Sequence, residues 1–391
     1  MVFSPEDQLI LYSIKICPTS KELEQINLLI PRIQDWDYLI NTIIDRGIGP
    51  LLYIKLSLLP NSSLIPEAVK TKLQQVYFKT VSRSALLYEY FRRIARAFVA
   101  QNIPVIGLKG IYLSEGLYQD IGLRQFSDID LLVKEEDGEN CLTILRKMGY
   151  KPYEFKVSEI IRRNTEIVHF PPMILNGVSI EIHIKLHKST ELYDMKVDTL
   201  WKNALPVTIN QVSVSTLNLN DLLIHLCLHL DKHFQAGHVQ FTCFNDLTNV
   251  LERYSETMNW KEFTEACRIY KCEAIVFKYI VLVHAYMQAT VPEAIIQKYL
   301  YLFTENDNQL FCKYLKGYTG DKSNVPTHLV NFKILPSFRD KVKYVSGVFF
   351  PPNALMIQIY HIKHPFLIPL YYPYRYYLGV KWALNHLFRK R

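Results

Sequence analysis

"GLKGIYLSEGLYQDIGLRQFSDIDLLVKEED", residues 107–137, decides how this chain is read. Near its end, Asp128 and Asp130 stand one residue apart in the otherwise apolar run FSDIDLLV, which has the composition of a buried strand. Residues i and i+2 of a strand point to one face, so the two carboxylates project together while Ile129 and Leu131 face the other way. Like charges this close raise each other's pKa unless a cation lies between them. A divalent metal is the simplest such cation, and paired carboxylates suit Mg²⁺, which keeps several waters and shares its shell with substrate phosphates. A lone D-x-D equally describes an edge strand with a solvated face. The flanking sequence has to decide.

Upstream, "IPVIGLKG" reads as a short strand ending in glycine, followed by a helix over residues 111–118. Gly110 at that junction lets backbone N–H groups at a helix start approach an anion, and Lys109 and Arg124 add positive charge. Downstream, "EEDGENCLTILRKMGY" reads as a helix with Glu135, Glu136 and Asp137 at the positive end of its dipole. The pattern then turns to period two. "YKPYEFK" and "EIVHFPPMIL" read as strands, and "VSIEIHIKLH" (178–187) alternates with Ile180, Ile182, Ile184 and Leu186 on one face. Glu181, His183, Lys185 and His187 share the other face. Two-metal sites usually need a third acid from a neighbouring strand, and Glu181 is the best candidate. His183 and Lys185, on the same face, are candidates to orient an acceptor or support the carboxylates; the alternatives are an imidazole bonded to backbone and a solvated lysine.

Residues 1–81 carry helical spacing punctuated by Pro50, Pro60 and Pro66, and "SRSALLYEYFRRIARAFVAQN" predicts a long helix from about Ser82. Helical spacing returns from Asn220 and continues mostly to the end. "DLLIHLCLHLDKHFQAGH" puts His225, His229 and His233 at i, i+4 and i+8 on one helical stripe. The outer two lie about 12 Å apart along the axis, too far for one three-histidine metal centre. The stripe reads instead as the lining of a cleft, with His229 or His233 touching nucleotide or acceptor. The order predicts an α+β protein: a helical region 1–81, an α/β core 82–210 and a helical domain 211–391.

The balance of 49% hydrophobic and 21% charged residues, without repeats, excludes disordered and fibrous classes. Seven scattered cysteines without a CxxC pair argue for reduced thiols rather than a disulfide framework or structural zinc. The opening has no basic n-region, and no run of about 18 apolar residues occurs, so the expectation is a cytoplasmic protein that neither crosses nor inserts into a membrane. The net charge of +8 lies wholly in residues 339–391, where nine Lys or Arg oppose the single acid Asp340. Interleaved with "LYYPYRYY", that tail suits single-stranded nucleic acid, an anionic membrane surface, or a helical domain that buries tyrosines and exposes lysines.

A strand ending in Lys-Gly, a helix, "LY.D.GLR", then "SDIDLLV" and a later "EIH" strand resemble the nucleotidyltransferase superfamily typified by DNA polymerase beta. More narrowly they resemble a bacterial nucleotidyltransferase family with an LKG…LY…R…DIDLLV…E-H signature. The resemblance spans residues 85–250 and, more loosely, the tail through "VFFPP". It implies a mixed sheet flanked by helices, and two Mg²⁺ ions, with Mn²⁺ as a substitute, held by Asp128, Asp130 and Glu181. It also implies an NTP such as ATP bound by Lys109, Gly110, Arg124 and Ser127. The reaction implied is transfer of an NMP to an acceptor, a small molecule, protein or RNA, with release of pyrophosphate. Where the wider superfamily has Gly-Ser, this chain reads Lys109-Gly110-Ile111, so the serine contact to phosphate is absent. That departure motivates an alternative, a nucleotide-binding protein of the same fold without turnover. The basic tail motivates another, a toxin-type enzyme that modifies RNA.

Overall fold

Side-chain caps set the first elements. Ser4 accepts the Asp7 N–H (3.2 Å) ahead of α1 (Pro5–Tyr12), Thr19 and Glu22 form a capping box on α2 (Ser20–Leu29), and Asp35 accepts the Tyr38 N–H (2.7 Å) at α3 (Trp36–Asp45). Each satisfies a first-turn donor that the helix itself cannot. α4 (Gly49–Lys55) follows, then the 33-residue α5 (Glu67–Val99). These elements belong to a computed structural model describing residues 3–153, 168–187, 193–235 and 240–316, with shorter pieces between 338 and 377. The chain divides into two units, Met1–Tyr153 with Val168–Lys322, and Glu154–Ile167 with Ser323–Arg391.

α5 begins immediately after Pro66, well before the Ser82 start expected from sequence. Its first half is rich in Lys, Gln and Thr and buries only Val69, Leu73, Thr80 and Ser84, so its apolar stripe is thin there. At 1.5 Å per residue it spans about 50 Å, long enough to serve two cores. Val69 and Leu73 pack with the N-terminal helices, while Leu87, Phe91, Ile94 and Phe98 pack on the sheet.

The next elements are β1 (Ile106–Gly107), α6 (Lys109–Gly116), β2 (Asp128–Leu132), α7 (Gly138–Lys147), β3 (Lys151–Pro152), β4 (Met173–Leu175), β5 (Val178–His183), β6 (Leu205–Ile209) and β7 (Val212–Thr216). Among the described residues they form one seven-stranded sheet in the order β3-β4-β5-β2-β1-β7-β6. β2 runs parallel to β5 and antiparallel to β1, and β1 runs parallel to β7. The chain is therefore α+β, a mixed sheet flanked by helices. Ile129 and Leu131 of β2 and Ile180 and Ile182 of β5 bury against α5 and against Leu142 and Leu145 of α7. Their neighbours in sequence are left on the opposite face.

Three strand readings change. Of EIVHFPPMIL, only Met173–Leu175 is a strand among the described residues. β5 stops at His183 rather than running to His187, because its last rung is the Val133 N–H donating to the His183 carbonyl (2.9 Å). The Ile184 and Lys185 N–H groups turn instead to the Val168 carbonyl (2.9 and 3.1 Å). Lys185 and His187 therefore leave the alternation that Glu181 and His183 share. The β6–β7 hairpin, in turn, was not legible as strands. Its turn is Asn210-Gln211, both at positive φ (42° and 65°), the geometry that normally selects Asn-Gly. Asn210 compensates by accepting tertiary support: its N–H donates to Glu115 Oε2 (3.0 Å) and its Nδ2 to the Tyr88 carbonyl (2.7 Å).

Helices Leu219–Gln235, Thr242–Tyr254, Trp260–Ile269, Glu273–Met287, Glu293–Tyr299 and Glu305–Leu315 follow, as the spacing predicts. None of the described helices is long and apolar enough to cross a membrane, and all seven cysteines are free thiols. In the second unit Met356, Ile362 and Ile368 form a small cluster edged by tyrosines. Most of the basic tail, including most of "VFFPP" and the closing "FRKR", lies outside the described residues, as does the strand reading over 154–157.

A side chain at positive φ costs about 1 kcal/mol or more. Gln211→Gly should therefore raise stability by about 1 kcal/mol, read as a higher midpoint of chemical unfolding. A lower midpoint would show that the Gln211 side chain supports the turn.

Candidate active site

The parallel pairing of β2 and β5 sets Asp128 opposite Ser179, Asp130 opposite Glu181 and Leu132 opposite His183. The buried face fixes this register, since a one-residue slip would put the carboxylates into the α5 packing. Asp130 is the most enclosed of the acids, 4% exposed. His183 Nε2 donates to its Oδ1 (2.9 Å), and Lys109 Nζ lies 3.2 Å from its Oδ2. A carboxylate can only accept, so the ring proton sits on Nε2. Glu181 Oε2 lies 3.6 Å from His183 Nε2 and 3.9 Å from His169 Nδ1. His169 is brought there by its bridge with His183.

The electrostatics follow from burial. Burial by itself would raise the Asp130 pKa; the Lys109 charge and the His183 hydrogen bond reverse this and hold it far below the carboxylate range. Asp128 is pushed up by burial and by the Asp130 charge, with Lys109 only partly offsetting them. Glu181 is likewise pushed up by burial and then by Asp130. Burial lowers the His183 pKa despite its bond to Asp130, so its imidazole is neutral near pH 7. Lys109 is the cation that the chain itself supplies. Against three carboxylates one lysine is not enough, and the raised pKa values of Asp128 and Glu181 express the remaining demand for positive charge.

Donor atoms of Asp130, Glu181 and His183 all lie within 4.8 Å of one another. Neighbouring ligands around an octahedral ion with bonds of about 2.1 Å stand roughly 3 Å apart. The observed 2.9 and 3.6 Å separations need small side-chain adjustments and a move of the ring proton from Nε2 to the unpartnered Nδ1, which frees Nε2 to ligate; with that change these residues fit a divalent cation. Asp130 and Glu181 stand opposite each other on paired strands, and Asp128 lies beside them outside the convergent set. The tertiary structure adds the His183 ring nitrogen to the donor set.

Lys109 opens α6 with φ at 42°, a strained conformation for a residue with a side chain. Gly110 follows because its neighbours leave no room: an added Cβ would lie 2.8 Å from Arg124 Nη1 and 2.8 Å from Phe126 Cβ and Cδ2. Arg124, expected beside the phosphates, is 8% exposed and forms a bidentate pair with Asp246, Nε to Oδ1 at 2.8 Å and Nη2 to Oδ2 at 2.6 Å. Tyr118 Oη also donates to Asp246 Oδ1 (3.0 Å). From the same helix, Thr242–Tyr254, Arg253 Nη1 donates to the Gly116 and Leu117 carbonyls at the end of α6 (3.2 and 3.0 Å). Asp246 escaped the sequence reading. Its signal was an acid inside the apolar stripe of "CFNDLTNVL", flanked by Phe244, Leu247 and Val250.

Ser127 precedes the carboxylates, and its Oγ donates to Asp128 Oδ1 (3.3 Å). The histidine stripe does not converge on one point. His229 and His233 face each other, Nε2 to Nε2 at 3.1 Å, with Cys243 Sγ 3.8 Å from His229 Nδ1. His225 is buried with neither ring nitrogen hydrogen-bonded, and His187 stacks edge-on to Tyr193 rather than joining Glu181. Burial, then the charge of nearby Lys109, hold His225 and His229 well below the usual histidine range.

A protein-family model described as "Uncharacterised nucleotidyltransferase" matches residues 33–288. No curated protein matches the chain. Among solved structures, the solution structure of the antibiotic-resistance factor ANT(2'')-Ia is similar at 12% identity, over 52% of this chain and 99% of that one, with a TM-score of 0.35.

Removing one partner of a buried ion pair leaves an uncompensated charge and costs about 3–5 kcal/mol. Asp246→Ala should destabilise by that order in urea unfolding, while Arg124→Met combined with Asp246→Leu should recover much of the loss. Additive losses in the double variant would show that the pair is not the unit.

Proposed function

Since the chain belongs to the nucleotidyltransferase family whose model it matches, we propose that it transfers an NMP from an NTP to a nucleophile on an acceptor and releases pyrophosphate. The observation that carries this reading is the convergence of Asp130, Glu181 and His183 donor atoms on one face of the β2–β5 pair, beside Asp128. Divalent cations, Mg²⁺ or Mn²⁺, would be held by these residues, and when bound they neutralise the phosphates and align the attacking and leaving oxygens. Asp128 and Asp130 would share the ions. Glu181 completes the side at which the acceptor nucleophile is activated. Lys109, whose ammonium stands at the Asp130 carboxylate, supplies fixed positive charge for the polyphosphate in place of the serine absent after Gly110. The Gly110 backbone at the start of α6 would offer N–H groups to that anion. Arg124 contributes from behind by tying the segment between α6 and β2 to the helix Thr242–Tyr254, whose Arg253 holds the end of α6. Catalysis of this kind is positioning and electrostatics without a covalent enzyme intermediate.

A nitrogen donor in the set moves the metal preference away from Mg²⁺, which favours oxygen ligands, towards Mn²⁺. His183→Gln should weaken Mn²⁺ binding by about tenfold or more while changing Mg²⁺ binding little, measured by calorimetry and by the Mn²⁺ electron-spin signal. Equal losses for both metals would remove His183 from the donor set.

Asp128 and Glu181 have folded pKa values above their ordinary ones, so their neutral forms favour the apo fold, and that contribution is lost as pH rises through those values. Metal binding needs the ionised forms. The rise in Tm given by Mn²⁺ should therefore grow with pH above about 4, and a flat dependence would argue against carboxylate ligation.

The deciding test is calorimetric titration of each NTP with either metal into wild type and the Asp128→Asn, Asp130→Asn double variant, with pyrophosphate release followed in parallel. Metal-dependent NTP binding that the variant loses supports the reading. Binding without any pyrophosphate release across acceptor classes would favour a nucleotide-binding protein, and no binding would overturn both.

A further inference from the structure

A cavity of ≈ 380 Å³ opens beside the carboxylate face, bounded by the α3–α4 turn, the segment leading into β2, and the approach to the helix Thr242–Tyr254. Resting on the nucleotidyl-transfer reading, we propose that this cavity receives the base of the NTP, and that the base is a purine. Its volume lies in the range of about 300–1,000 Å³ typical of small-molecule sites.

Position comes first. Ser127 lines the cavity and donates from Oγ to Asp128 Oδ1 at 3.3 Å, so the wall of the cavity reaches Asp128, the first of the acids. Phe126 lines it too, and the same side chain lies against Gly110 at the start of α6. A nucleotide with phosphates at Lys109 and Gly110 thus has this cavity next to them.

The lining chemistry selects the base end of the nucleotide over the phosphate end. Phe126, half-buried, offers an aromatic face on which any base can stack; Phe241, packed on Phe244 and Phe311, lines the wall with apolar surface. Gln125 and Gln240 offer planar amides that both donate and accept, the groups that read base edges. Arg46 completes the set. Its Nε has no hydrogen-bond partner, and a guanidinium N–H pairs with N7, the acceptor that adenine and guanine share and pyrimidines lack. Asp45, also in the lining, offsets the Arg46 charge and makes the cavity a poor place for a triphosphate. Gly47 keeps the floor closed: at φ 69°, an added Cβ would lie 2.6 Å from Thr242 Cγ2.

The test is calorimetry with ATP, GTP, CTP, UTP and inorganic triphosphate, each with Mn²⁺, on wild type, Arg46→Ala and Gln240→Ala. Gln240 is exposed, so its variant preserves the fold if Arg46→Ala does not. Wild type should bind a purine NTP about tenfold or more tighter than the pyrimidine NTPs and inorganic triphosphate. Both variants should erase that difference and leave the inorganic triphosphate affinity unchanged. NTP binding with the same base preference in both variants, or a pyrimidine preference in wild type, overturns the assignment and leaves nucleotidyl transfer standing. No binding of any NTP by wild type removes nucleotidyl transfer, and this inference with it.

Discussion

The burial of the Asp130 carboxylate between Lys109 and His183 is the constraint on which the site depends. An ionised carboxylate at this depth is tolerable only with charge-assisted partners, and both come from elements that the sheet must bring together. Asp130 also holds the entry to α6 through its backbone, its carbonyl accepting the Leu108 N–H (3.1 Å). Side chain and main chain of one residue therefore fix the segment in which Lys109 adopts its strained φ. Strain at such a place persists because the surroundings over-determine it. Its effect is to keep an ammonium at the carboxylates and to start a helix directly beside them.

A second set of polar contacts holds that helix in place from the other side. Arg124, Tyr118 and Asp246 form a buried network, and Arg253 caps the far end of α6, so one C-terminal helix holds both the end of α6 and the segment that leads from it to β2. Such a network contributes less to net stability than to choosing one arrangement, since its desolvation cost nearly offsets its attraction. Gly110 belongs to this network too. Its missing side chain is what allows the Arg124 guanidinium and the Phe126 ring to close over the helix start.

α5 plays the corresponding part for the apolar cores. One end packs in the helical core that the N-terminal helices share with the C-terminal ones, and the other carries the sheet. The helix Leu219–Gln235 comes close enough to the acid face that the Lys109 charge acts on His225 and His229, whose pKa values burial already lowers.

The sequence by itself determined the face on which the acids lie, the pairing of a D-x-D strand with an E-x-H strand, the α+β class and the helical regions on either side. These are local properties: period two or period 3.6 states which side chains share a surface, and a few neighbouring residues suffice to read it. Only the tertiary structure decided what covers each surface. That Asp130 meets Lys109 and His183, that Arg124 turns to Asp246, and that residues near 46, 126 and 241 enclose one cavity depend on contacts between segments far apart in the chain. Periodicity carries no information on which segments meet, because packing of whole elements chooses them. The same reason explains the missed β6–β7 hairpin, whose Asn-Gln turn is held by Glu115 and Tyr88 rather than by a turn signal of its own.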